Sequence, residues 1–285
     1  MVATRNDTRA NLITAVLKTR LALVDAGIVD AESIKRRDKR EPGRKRKEEA
    51  EQRLIAALMR YWRGQARRIR TILERYAPER KIYVPTFVFD AVYTDNEAEA
   101  GLLMILMNAA KDGVDLVSAM FTIGLDYTLI NTEAAAWART YGYELIKGIN
   151  ETTKQALQSA ISSFVETPGF TIRDTMNMLP FNEDRAAMIA TTEITNVYSQ
   201  ANQMAGEELA KEYPDVKVVK TFYTNNDDRV CFLCGPLDGQ TVDIDKSFIH
   251  PETKAEFMNP AIHPRCRCFT RTSTMLADLG EETNG

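Results

Sequence analysis

All 4 cysteines of this 285-residue chain lie between Cys231 and Cys268. They form two groups, Cys231-x-x-Cys234 and, after a long gap, His263-x-x-Cys266-x-Cys268. No other feature restricts the fold as strongly, because an ion shared by the two groups forces distant loops to one point. A Cys-x-x-Cys turn offers two thiolates to a single tetrahedral ion. The second run offers three more donors from a short loop stiffened by Pro264. Gly235, directly after the second cysteine, is expected to relieve crowding where the backbone wraps the ion. Thiolate-rich ligation selects zinc or iron–sulfur, and zinc is commoner in closed sites. Cys231, Cys234, His263, Cys266 and Cys268 thus compete for four positions. The four thiolates form one possible set, and His263 in place of one thiolate gives the others. A filled four-ligand site has no position for water, so its expected role is structural rather than hydrolytic. His250, within Phe248-Ile249-His250-Pro251, reads as a surface histidine.

The N-terminal sequence has no apolar signal-peptide core, and no window approaches 18 uncharged apolar residues. The expectation is a soluble protein without a membrane span, made in a reducing cytoplasm, where clustered cysteines favour metal over disulfides. Hydrophobic residues at 44% suffice for a packed core. Helical spacing of apolar residues predicts helices over 11–26, 48–76, 96–112, 114–123, 131–149 and 152–165, with a further short one near Asp30 and Thr152 or Thr153 as a cap. Residues 81–93 are rich in β-formers and read as an extended segment or a crossing loop. Pro168-Gly169 mark a boundary. Beyond it come a short helix over 171–178, a long one opened by Asn182-Glu183-Asp184 and reaching Tyr213, and strands at 216–223, 241–243 and 269–272. The fold class is therefore α+β: a mostly helical portion over 1–168, a small α+β zinc-stapled domain over 169–274, and a flexible tail over 275–285.

Charge is unevenly spread. Residues 31–80 carry 17 Lys and Arg against 8 Asp and Glu, while the whole chain has a net charge of -3. Nine of the 13 residues from Lys35 to Lys47 are basic. Five further arginines cover one side of the predicted 48–76 helix. Segment 35–70 is a candidate contact for DNA or an acidic protein surface. The plainer alternative is a solvated linker followed by a wet helix face.

Several short motifs in order resemble the phage Mu F-like minor head protein family. They are Ile189-Ala190-Thr191-Thr192-Glu193, Asp227-Asp228-Arg229-Val230-Cys231, Leu237-Asp238-Gly239 and His263-Pro264-Arg265-Cys266-Arg267-Cys268. They cover about residues 170–272. The family often has Arg where Thr191 stands. The resemblance implies a minor capsid, head-morphogenesis protein of a tailed phage, present in the virion and acting near the portal vertex in head assembly or DNA delivery. Its implied partners are the portal protein and the major capsid or scaffold protein.

Two other classes compete. Related α+β folds host ADP-ribosyltransferase and nuclease toxins, and Glu193, Asp228 and Arg229 could be cast as a carboxylate, an orienting acid and an anion binder. No Ser-His-Asp set or phosphate-binding glycine loop accompanies them, so the chain is read as a non-enzyme. A zinc-stapled DNA reader would concentrate Lys and Arg around the zinc loop. That loop instead carries Asp238, Asp243, Asp245 and Glu252.

Overall fold

Apolar residues at helical spacing and a 30-residue run without proline build the longest elements. In the computed structural model, which describes residues 41–77, 84–92, 96–120, 127–225 and 227–276, α1 spans Arg44–Tyr76. It buries Leu54, Leu58, Tyr61, Trp62, Ile69 and Leu73 along one side. Full burial of a large side chain such as Trp62 stabilises by about 2–3 kcal/mol. The predicted 11–26 helix, the start near Asp30, residues 35–40 and the tail beyond 276 lie outside the described residues.

Residues Thr86–Val92 form a 3-10 helix rather than an extended segment. Sheet propensity presupposes a neighbouring strand, and here the segment packs on a helix. Val88, Ala91 and Val92 are buried in a cluster with Ile69 and Leu73 of α1. The carbonyls that a strand would pair are taken by side chains of α1. Arg68 Nε donates to Ala91 O at 3.1 Å, and Gln65 Nε2 to Val92 O at 2.6 Å.

Helix α2 (Asn96–Met120) and helix α3 (Tyr127–Glu166, 40 residues) each run through a point where the sequence predicts a break. Thr152 and Thr153 do not cap a helix. Their hydroxyls donate back to Gly148 O and Ile149 O at 3.0 Å, within the continuous α3. Gly113 is tolerated inside α2 because α5 crosses there: a Cβ would meet Ala201 Cβ at 2.8 Å and Tyr198 O at 3.2 Å. Gly113→Val is accordingly expected to destabilise the chain by about 1–3 kcal/mol through overpacking. An unchanged urea midpoint would refute the close crossing.

The short helix α4 (Ile172–Asn177) starts with a capping box between Thr171 and Asp174. Helix α5 (Glu183–Glu212) is capped by Asn182, whose side chain accepts from Arg185 N at 2.8 Å. Strand β1 (Val216–Tyr223) is the centre of a three-stranded antiparallel sheet of order β2-β1-β5, with β2 at Thr241–Asp243 and β5 at Phe269–Leu276. Two-residue strands β3 (Phe248–Ile249) and β4 (Glu256–Phe257) form a separate antiparallel pair. The chain is thus α+β, as its residue patterns predict. Among the described residues no helix is long and apolar enough to cross a membrane.

The principal core does not stop at Pro168. It joins α1, α2 and α3 to Ile194, Val197, Tyr198 and Ala201 of α5, and also takes in Val218 of β1 and Ile244. A second, smaller cluster holds Phe222, Leu237 and Phe248 together with three of the cysteines. Strand β1 connects the two cores, because its alternate residues Val218, Lys220 and Phe222 are all buried. Lys220 occupies the junction. Its ammonium donates to Gln203 Oε1 of α5 at 2.9 Å and to Met258 O at 2.8 Å, and burial lowers its pKa to about 8.

Candidate metal centre

The Cys231–Cys234 turn is closed by its own backbone. Cys234 N and Gly235 N both donate to Cys231 O, at 3.1 and 2.9 Å. A 3-10 turn over Gly235–Leu237 follows and buries Leu237. Gly235 does not relieve crowding as the sequence suggests. The nearest atom to an added Cβ is Val230 Cγ1 at 3.7 Å, an ordinary contact.

The second donor group sits on the loop leading into β5. There Cys266 N donates to His263 O at 3.2 Å, and Arg265 adopts a left-handed φ of 61°. Two contacts moor this loop to α5. Arg265 N donates to Thr192 Oγ1 at 2.8 Å, and the Arg265 guanidinium pairs with Asp184 at 2.6 Å.

All five predicted donors converge. Cys231, Cys234 and His263 form one group, Cys234, Cys266 and Cys268 another, and within each the donor atoms lie within 4.8 Å of one another. Cys234 belongs to both. His263 Nε2 lies 3.2 Å from Cys231 Sγ and 3.1 Å from Cys234 Sγ, while Cys234 Sγ lies 3.9 Å from Cys266 Sγ. A tetrahedral zinc with thiolates at about 2.3 Å has sulfur–sulfur edges of about 3.8 Å, so the spacing fits. His263 Nδ1 lies 2.6 Å from Pro264 O. In the neutral ring that hydrogen bond puts the proton on Nδ1 and turns the Nε2 lone pair toward the sulfurs, which is the tautomer a metal requires.

The electrostatics divide the four sulfurs, favouring thiolates at Cys231 and Cys266 and thiols at Cys234 and Cys268. Cys231 is lowered to about 4 by its hydrogen bond with Cys234 and, against burial, by His263. Cys266 lies well below the usual thiol value through its hydrogen bonds with Cys234 and Cys268. His263 is raised to about 11: burial opposes its charge, but the sulfurs of Cys266 and Cys231 outweigh that. Such a site exchanges bound protons for a soft divalent cation.

Three supporting residues escaped the sequence reading. Arg267, between the last two cysteines, donates to both carboxylate oxygens of Asp227, at 3.1 and 2.8 Å. Asp227 also accepts from Asn225 Nδ2 at 2.9 Å and Arg229 N at 3.1 Å, and these partners lower its pKa although burial opposes them. The turn before the first cysteine is thereby tied to the loop bearing the last two. His250 is the third. It is 1% exposed rather than on the surface. Its Nδ1 accepts from Glu252 N and Thr253 N at 3.3 and 3.2 Å, which leaves Nε2 to face Phe232 O, inside the Cys-x-x-Cys turn, at 3.4 Å.

The residues considered for catalysis take other places. Glu193 is buried and accepts a short hydrogen bond from Tyr141 of α3. Asp228 is exposed, and the backbone of Arg229 engages Asp227.

Residues 147–271 match the family described as Phage Mu protein F like protein. This part of the chain, from the second half of α3 into β5 and including all five donors, resembles that family. No curated protein and no solved structure matches the chain.

Proposed function

We propose that the chain is a minor capsid protein of a tailed phage, carried in the virion and acting near the portal vertex in head assembly or DNA delivery. One structural zinc ion staples its C-terminal module. The convergence of five soft donors inside the family's own segment carries this reading. The proposed ligands are Cys231, Cys234, His263 and Cys266. His263 Nε2 lies against both cysteines of the first turn, and Cys234 Sγ lies 3.9 Å from Cys266 Sγ. Cys268 is then the fifth thiol, packed beside the ion. Four protein ligands close the coordination shell, so zinc here supplies rigidity to two loops and no bound water.

A structural rather than enzymatic role is supported by Glu193, whose carboxylate is buried against Tyr141 inside the helix bundle. The partners this reading names are the portal protein and the major capsid or scaffold protein, which the rigid module and the helix bundle would meet during head assembly. Immunogold labelling of purified virions with an antibody to this chain tests the placement. The expected result is label at a single vertex. Uniform label over the capsid, or label only on tails, would overturn it.

A further inference from the structure

We propose that the exposed face of α1 is a binding surface for the phosphate backbone of duplex DNA. This goes beyond the assembly role above and stands without it. Between Gln52 and Leu73 the chain contains no Asp or Glu. In that interval Arg53, Arg60, Arg63, Arg67 and Arg70 are exposed, and Gln52, Ala56 and Thr71 are the other exposed residues of the helix there. At 100° per residue the five arginines fall within about a quarter to a third of the helix circumference, and they extend along about 25 Å of its axis. Arg53 approaches Glu49 at 3.9 Å. Among the described residues, Arg60, Arg63, Arg67 and Arg70 have no ion pair or hydrogen-bond partner through their side chains.

This row is costly for an isolated helix. Arg60–Arg63, Arg63–Arg67 and Arg67–Arg70 are like charges three or four residues apart, a spacing that destabilises helices. The chain as a whole is acidic, with a net charge of -3, so solubility does not call for this excess of arginine. A polyanion lying along the row removes the repulsion.

The composition of the face selects the kind of polyanion. Protein interfaces are anchored by buried aromatic or aliphatic side chains, and this stretch presents nothing larger than alanine between its arginines. A phosphate backbone needs no such anchor, and guanidinium groups bind its oxygens in bidentate fashion. Between Arg53 and Arg70 the exposed face carries no Asn or Gln, and Gln52 stands only at its end, so binding is expected to be independent of sequence.

The test uses the full chain and a fluorescein-labelled random duplex of about 30 base pairs, followed by anisotropy over a NaCl series. Five phosphate contacts predict a log K against log[NaCl] slope of about -4 to -5. The variant R60Q/R63Q/R67Q/R70Q is expected to flatten the slope by roughly 3–4, and R63Q alone by about 1. The circular-dichroism melting curve of the quadruple variant should lie at or slightly above that of wild type, because these side chains are exposed and their mutual repulsion is removed. A second variant neutralises Lys35, Arg36, Arg37, Lys39 and Arg40. If wild type does not bind, or if binding is lost only in this second variant, the assignment to α1 is overturned. Binding to poly-glutamate in place of DNA would also overturn it, by assigning the face to an acidic protein.

Discussion

Cys234→Ser is expected to strip the chain of metal and to unfold residues 216–276 as a unit. Cys234 is the donor common to both halves of the cluster and is 1% exposed, so no other side chain can take its place without moving two loops. Structural zinc binding is worth about 10–16 kcal/mol in small zinc-finger peptides at neutral pH. The module here also has an apolar cluster of its own around Phe222, Leu237 and Phe248, so only part of that energy is needed to hold it folded. A loss of at least about 4 kcal/mol is expected, a size reserved for mechanisms such as loss of a metal. Elemental mass spectrometry should find about one zinc per wild-type chain and none in the variant. Hydrogen exchange should show lost protection centred on β1 to β5. Cys268→Ala is the contrasting variant, expected to keep its zinc because Cys231, Cys234, His263 and Cys266 complete the tetrahedron. A folded wild type without metal would sink the zinc reading. Loss of zinc from Cys268→Ala would move Cys268 into the ligand set.

Glu41→Ala should cost about 3–5 kcal/mol, more than a surface charge change can explain. Lys47, near the start of α1, makes a short ion pair with Glu41, and their side chains are only 2% and 0% exposed. The Lys47 ammonium also lies over the Tyr198 ring of α5, 5.0 Å from its centroid. Removing the carboxylate takes the Glu41 ion pair from a buried ammonium. The double variant Glu41→Leu with Lys47→Met removes both charges and should recover most of the stability, because buried pairs barely exceed their hydrophobic replacements. Urea unfolding at constant m-value measures both. A neutral Glu41→Ala, or a double variant worse than the single, would show that the pair is not buried in solution.

The legible part of this protein was the part governed by local rules. Five donors at metal spacing announced the cluster, Asn182 and Thr171 announced helix starts, and the apolar stripe of α1 announced its packed side. What the sequence concealed depended on neighbours far along the chain. Gly113 reads as a helix breaker until Ala201 is seen against it. The β-formers around Val88 read as extended until Gln65 and Arg68 of α1 claim their carbonyls. His250 reads as a loop residue, because nothing local says that it will hold Phe232 O. Asp227 and Arg267 are 40 residues apart, and only folding makes them a pair. Both stand in the motifs that carry the family resemblance, but no local rule joins them.

Helix α5 has consequences for how such genes can be exchanged. One side of it is committed to α1 and α2 through Ile194, Tyr198 and Ala201, and its other contacts reach the sheet, where Gly206 leaves space for Ile244 and Thr272. A recombination event that imported only the cysteine-bearing segment would bring a helix fitted to a foreign bundle, or leave the resident helix facing a foreign sheet. Either product would carry mismatched surfaces on an element buried along most of its length. The seam that preserves both surfaces lies upstream of α1, so the described helices and the metal-bearing module are expected to be inherited together as a single cassette.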